Sequence, residues 1–181
     1  LLHDDVIDES DTRRGQPSVN ALFDNKTAIM FGDILYSKAF TRLTFMPSKI
    51  AYTISNAVTL LSLGEMIDVD LTNSFNKSYD KYLDMIYKKT ASLIEASARA
   101  AAILANKDEE KYALYGKNLG VAFQMIDDIL DITQDSQTLG KPAMLDFVEG
   151  KVTIPYLLLH ERLENKTKLE ALYKKELSDE E

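Results

Sequence analysis

An all-helical fold is the expectation for these 181 residues, and three observations carry it. Only seven Gly and four Pro punctuate the chain, β-branched runs are sparse, and apolar residues recur at the spacing of one helix face over long stretches. With 45% hydrophobic residues the chain can bury a substantial core, and residues 1–181 read as one domain.

The elements follow in chain order. Leu1 to about Asp11 reads as the end of a helix, broken by Arg13-Arg14-Gly15-Gln16-Pro17-Ser18. Asn25 caps a helix reaching about Phe45, with Ile29, Met30, Ile34, Leu35 and Phe40 as its apolar side; Pro47-Ser48 starts another, from about Lys49 to Leu71. Gly32 and Gly64 inside these helices cost about 1 kcal/mol each relative to Ala, which predicts close approach by a neighbour, packing being favoured over a ligand. Ser78 caps a long helix through Tyr87-Lys88-Lys89-Thr90-Ala91 to Ala105, whose alanine-rich end suits close packing. Asp108 or Glu109 opens the next helix, where Gly116 and Gly120 allow close contact. From Gln134 to Gly150 the periodicity fails, predicting a loop that bears Lys141 and Lys151. Two amphipathic helices, from Ile154 to Leu163 and from Lys168 to Leu177, complete the chain.

Two segments place carboxylates inside apolar surroundings. Asp127, Asp131 and Asp128 fall at roughly 0°, 40° and 100° on a helical wheel, so they project from one stripe while Phe123, Met125, Ile126, Ile129 and Leu130 fill much of the rest. Asp4, Asp5 and Asp8 repeat the spacing. Uncompensated charges in such a setting require water or a cation. One DDxxD would be an ordinary solvated helix face; two such rows predict a pair that faces across a cavity. Six of the 29 acidic residues lie in these rows, so the others nearly balance the 21 basic ones, and most of the net charge of −8 sits in the candidate site.

Composition narrows the chemistry. Without Cys there is no disulfide framework and no zinc–thiolate site, and two His are too few for most His-based metal hydrolases. A chain this acidic has no general footprint for nucleic acid. No apolar run approaches a membrane span and no leader is visible, which predicts a soluble cytoplasmic protein. The chain opens within a helical pattern without a cap, as though its own beginning were missing.

Oxygen ligands in this number suit Mg²⁺, which bridges a few carboxylates to substrate phosphates while retaining waters. Arg13 and Arg14, just past the first row, offer rigid forks of donors for phosphate oxygens. Lys88 or Lys89, whichever points inward, could meet a diphosphate, with the Thr90 hydroxyl beside it. Together these groups would pull a diphosphate away as a leaving group, while apolar flanks shield a carbocation from water.

LLHDDVIDESDTRRGQPSVN, YKKTASLIEA, FQMIDDILDIT and LGKPAMLDFVEGKVTIPYLLL together resemble a trans-isoprenyl diphosphate synthase, most of all the long-chain, octaprenyl-like members. The similarity spans nearly the whole chain. It implies a helical bundle around a deep central cavity, Mg²⁺ dependence and a homodimer, with peripheral membrane contact for product release. It also implies elongation of an allylic diphosphate with isopentenyl diphosphate to a medium- or long-chain polyprenyl diphosphate. On this resemblance Asp4, Asp5, Asp8, Asp127, Asp128 and Asp131 would ligate Mg²⁺, Asp131 partly through water. Arg13 would touch the allylic diphosphate or its metals, and Arg14 the isopentenyl diphosphate. Lys89 would bind the allylic diphosphate and with Thr90 stabilise the cation, Gln124 would lie near the reacting carbons, and Lys141 and Lys151 correspond to closing-loop lysines. The proton lost after coupling goes to the released diphosphate, so no protein base is required.

Three departures from the family pattern stand out. The helical segment that precedes the first motif in family members, with its basic residues for isopentenyl diphosphate, does not precede Leu1. Asp68 stands where Gln is common after Gly64-Glu65, and Met144-Leu145 precede Asp146 where a Gly is often found. The rival readings are a farnesyl or geranylgeranyl diphosphate synthase, a class I terpene cyclase, and a non-catalytic subunit of a heteromeric synthase. An intact second DDxxD argues against the cyclase, and two intact motifs argue against the subunit.

Overall fold

A computed structural model describes residues 1–134 and 144–173, and these are almost wholly helical. The chain divides into two units, Leu1–Ala51 and Tyr52–Glu181.

In the first unit, α1 (Leu2–Ile7) stops short of the expected Asp11. Beyond it the chain forms a hairpin instead of a simple break: β1 (Thr12–Arg13) pairs antiparallel with β2 (Gln16–Pro17). Arg14 and Gly15 at its tip have φ of 54° and 73°, the left-handed pair that matches a tight turn to the twist of its strands. Ser18 caps α2 (Val19–Leu22) by accepting the Ala21 N–H. The helix α3 (Asn25–Leu43) is capped by Asp24, one residue before the expected Asn25, whose carboxylate accepts the Thr27 N–H at 2.8 Å. Small residues, Ala28 and Gly32, are its buried ones; the apolar side of Ile29, Met30, Ile34, Leu35 and Phe40 is exposed.

Helix α4 (Ser48–Leu71) begins at the end of the first unit and belongs to the second from Tyr52 onward. Contrary to the sequence expectation, it is long and apolar enough to cross a membrane by length and composition, the one such helix among the described residues. Its Glu65 and Asp68 are nonetheless buried and engaged by a lysine of the same unit.

Ser78 caps α5 (Tyr79–Ile86) as expected. The single long helix predicted from there to Ala105 is instead interrupted by a π-helical turn at Tyr87–Ala91 before α6 (Ser92–Leu104) resumes. Asp108 caps α7 (Glu109–Thr133). Helices α6 and α7 pack closely, because a Cβ on Gly116 would lie 2.8 Å from the Ile94 carbonyl oxygen, and one on Gly120 would lie 2.5 Å from the Cα of Ala91 in the π turn. Within the stretch expected to be all loop lies a short helix, α8 (Leu145–Val148), and α9 (Ile154–Arg162) and α10 (Lys166–Leu172) follow. The core of this unit gathers Tyr82, Ile86, Phe147, Tyr156, Leu157 and Leu169. Phe147 stacks on Tyr156 with ring centroids 4.3 Å apart. This packing fixes α5 and the turn into α8, which carry partners of the second acidic row.

Candidate active site

The first row is graded in burial. Asp5 is 2% exposed, Asp4 is half-buried and Asp8 is exposed. Arg13, expected as a phosphate clamp, reaches back to Asp5 with Nη2 at 2.6 Å and Nε at 2.7 Å, both on Oδ1. That bond holds the Arg13 guanidinium above its usual pKa, against the opposing effect of burial. Asp5 is thereby oriented by the residue predicted to serve the substrate directly. Arg14 sits exposed at the hairpin tip, with no ion pair among the described residues. His3, next to Asp4, fixes α1 to α3 by placing Nε2 3.0 Å from the carbonyl of Ile29.

The second row repeats the grading: Asp127 is exposed, while Asp128 and Asp131 are buried at 3% and 1% exposure. Both oxygens of Asp128 accept hydrogen bonds. The Tyr82 hydroxyl donates to Oδ2 at 2.6 Å and the Gln124 amide to Oδ1 at 3.0 Å. The Thr90 hydroxyl in turn donates to the Gln124 Oε1 at 2.8 Å, which orients the amide. Three residues predicted separately for the site, Thr90, Gln124 and Asp128, therefore form one connected chain. Asp131 accepts the Asp146 N–H on Oδ2 at 3.3 Å.

Of the two lysines the sequence left open, Lys89 engages buried groups. Its Nζ lies 2.6 Å from Asp68 Oδ2 and 3.0 Å from Glu65 Oε1, two residues with 6% and 8% exposure. Lys88 pairs at 2.6 Å with the half-exposed Asp84 one turn back. Successive residues on a helix point roughly 100° apart, so the two adjacent lysines of the π turn reach different partners. Gly64 lets α4 approach that turn, since a Cβ there would lie 2.3 Å from the Lys89 backbone nitrogen. Burial works to lower the Lys89 pKa, but Asp68 and Glu65 outweigh it and hold the ammonium above its usual range.

Lys151 lies in the turn after α8, with Nζ 2.9 Å from Glu149; Lys141 lies outside the described residues. Glu65, Asp68 and Tyr82 are members of the site that sequence reasoning did not assign. Asp68 had left a signal, as an acidic residue replacing a common Gln. Tyr82 had none, because its partner lies 46 residues away.

The donor set suits a hard divalent cation such as Mg²⁺. Every candidate ligand is a hard oxygen. Burial pushes the Asp128 carboxyl up, its two neutral hydrogen-bond donors oppose this, and the charges of Asp127 and Asp68 push the same way as burial. A divalent cation there would favour the ionised form. Among the described residues, no three His, Asp or Glu side chains are grouped to hold a metal ion. The arrangement fits an ion that takes few protein carboxylates and completes its shell with phosphate and water.

A family model described as Polyprenyl synthetase matches residues 1–181. The chain belongs to the polyprenyl synthetase family. This bears out the resemblance carried by the four motifs, and the all-helical fold is that of the solved family structures. The octaprenyl diphosphate synthase of Escherichia coli K12 is 42% identical over 161 residues, covering 87% of this chain and 50% of that protein. Octaprenyl pyrophosphate synthase from Helicobacter pylori superposes with a TM-score of 0.93 at 53% identity, over 99% of this chain and 59% of that one. Heptaprenyl diphosphate synthase from Staphylococcus aureus gives 0.90 at 34%, over 98% and 57%. The polyprenyl synthetase chain in hand thus spans about half the length of the relatives it matches.

Proposed function

We propose that the full-length protein containing this chain is a polyprenyl diphosphate synthase that joins isopentenyl diphosphate to an allylic diphosphate and makes a medium- to long-chain product. The observation that supports the reading is the hydrogen-bonded chain Thr90–Gln124–Asp128 together with the half-buried Lys89, a set of hydroxyl, amide, carboxylate and ammonium groups suited to a diphosphate and an allylic cation. Relatives described as octaprenyl and heptaprenyl synthases support the long product.

In this reading Asp4, Asp5, Asp8, Asp127, Asp128 and Asp131 would hold Mg²⁺, which when bound would supply positive charge for a departing diphosphate. Lys89 donates an N–H to the same diphosphate, and Lys141 and Lys151 close on it. Arg13 holds Asp5 in its orientation, and Arg14 takes the isopentenyl diphosphate. The Thr90 hydroxyl and the Gln124 carbonyl stabilise the allylic cation as positive charge develops. The carbon–oxygen bond of the allylic diphosphate breaks, a carbon–carbon bond to isopentenyl diphosphate forms, and the proton leaves to the released diphosphate. A homodimer, a cytoplasmic location and peripheral membrane contact for product release belong to the same proposal.

Mass analysis of the products formed by the full-length enzyme from farnesyl and isopentenyl diphosphates tests it. A ladder of elongated chains is expected, and Asp4→Ala or Asp127→Ala should lower turnover by orders of magnitude without unfolding the protein. Cyclisation of the allylic substrate alone, or no elongation until a second chain is added, would replace the reading.

A further inference from the structure

We propose that Asp68 sets how tightly Lys89 holds a diphosphate, acting as a resident anion that competes for the ammonium. The inference rests on the assignment of Lys89 to the diphosphate and goes on to name the residue that tempers it.

The ammonium has three N–H donors and no acceptor. In this structure two of them are committed, one to Asp68 Oδ2 at 2.6 Å and one to Glu65 Oε1 at 3.0 Å. One donor is left for a phosphate oxygen. The charge of the group matters as much as its geometry. Two carboxylate oxygens, one from Asp68 and one from Glu65, already sit on the ammonium, so an arriving diphosphate meets a cation that is engaged by anions.

Asp68 is the member that decides this balance. It is the nearer of the two carboxylates, it is almost fully buried, and its field extends to Asp128, where it opposes ionisation. At this depth charges are weakly screened, so a single carboxylate weighs appreciably against a ligand bearing several negative charges. The pair also cannot swing away. Glu65 and Asp68 sit one turn apart on α4, and the Gly64 contact presses that turn onto the backbone of Lys89. A synthase that discharges a diphosphate at every addition must release it each time, and a counter-anion beneath the ammonium loosens that grip. The replacement of a common Gln by Asp at this position acquires a physical meaning on this account.

The direction of the effect separates this role from a structural one. If Asp68 merely tied α4 to the π turn, removing its charge would loosen the site and weaken every ligand. If it competes for Lys89, removing its charge should tighten diphosphate binding even as the fold loses an ion pair. The test uses the full-length enzyme and inorganic diphosphate as a competitive inhibitor of the allylic substrate. Asp68→Asn, which keeps the size and one acceptor oxygen, is expected to lower the inhibition constant about tenfold. The KM of the allylic diphosphate should fall with it, and kcat should change less. Asp68→Gln, the residue common at this position, provides a second variant and should move the same way. An inhibition constant that stays the same or rises in both variants, while Lys89→Ala weakens inhibition, overturns the inference alone. Inhibition unchanged in Lys89→Ala overturns the assignment of Lys89 itself, and this inference with it.

Discussion

Tyr82, without exposed surface, donates its hydroxyl hydrogen to Oδ2 of Asp128 at 2.6 Å. Tyr156, also buried, has no hydrogen-bond partner for its hydroxyl among the described residues. The two tyrosines therefore make a controlled pair. Tyr82→Phe is expected to cost about 1.5–3 kcal/mol, the range for a hydrogen bond to a charged group. Tyr156→Phe should be neutral or stabilising. Urea melts of the two variants check this, and equal losses would show that packing, and not the bond to Asp128, is what Tyr82 provides.

Gly64→Ala should destabilise by about 1–3 kcal/mol, because the added carbon meets backbone atoms of Lys89 that cannot rotate aside. In an open helix the same change would stabilise by about 1 kcal/mol, so the sign alone is informative. Thermal unfolding gives the answer.

Ser78→Ala removes the acceptor of the Lys81 N–H, 3.2 Å away at the start of α5. A loss of about 1 kcal/mol is expected. Since α5 carries Tyr82, hydrogen exchange should rise first in its opening turn.

Met144 has φ of 58°, a left-handed conformation that costs a side-chain-bearing residue roughly 1–2 kcal/mol. Met144→Gly should therefore raise the midpoint of denaturation, and Met144→Ala should not. The departure noted in the sequence, Met-Leu where a Gly is often found, is consistent with a backbone position suited to glycine.

The Glu170 carboxyl is held below its usual pKa, chiefly by hydrogen bonds from Lys77 and His160. A lowered folded-state value means stability that is present above the unfolded-state pKa and lost as pH falls through the folded one. Acid titration below about pH 4.5 should weaken the docking of α10, and Glu170→Gln should flatten that part of the curve. An unchanged acid limb in the variant would count against the pairing.

Local signals in the sequence were read well. Ser78 and Asp108 announce helix starts through one side-chain acceptor at a fixed spacing, and both cap as expected. The helical wheel put each acidic triplet on one stripe, but it did not foresee the side-chain partners of the middle carboxylates, Asp5 and Asp128. Their partners, Arg13 and Tyr82, are chosen by tertiary contact. The hairpin at Arg14 escaped because arginine is not a residue that advertises a positive φ, whereas Asn or Asp would have done so. The π turn escaped for a related reason: no single side chain specifies it.

That turn is a matter of phase. Residues before and after Tyr87–Ala91 are out of step by about 100° relative to an unbroken α-helix. Deleting a single residue there would cancel that offset, so the turn could wind as regular α-helix while α5, which carries Tyr82, and α6 keep their relative orientation. A one-residue deletion within Tyr87–Ala91 should thus be tolerated better than the same deletion inside α5 or α6, and thermal unfolding of the two variants reads the difference.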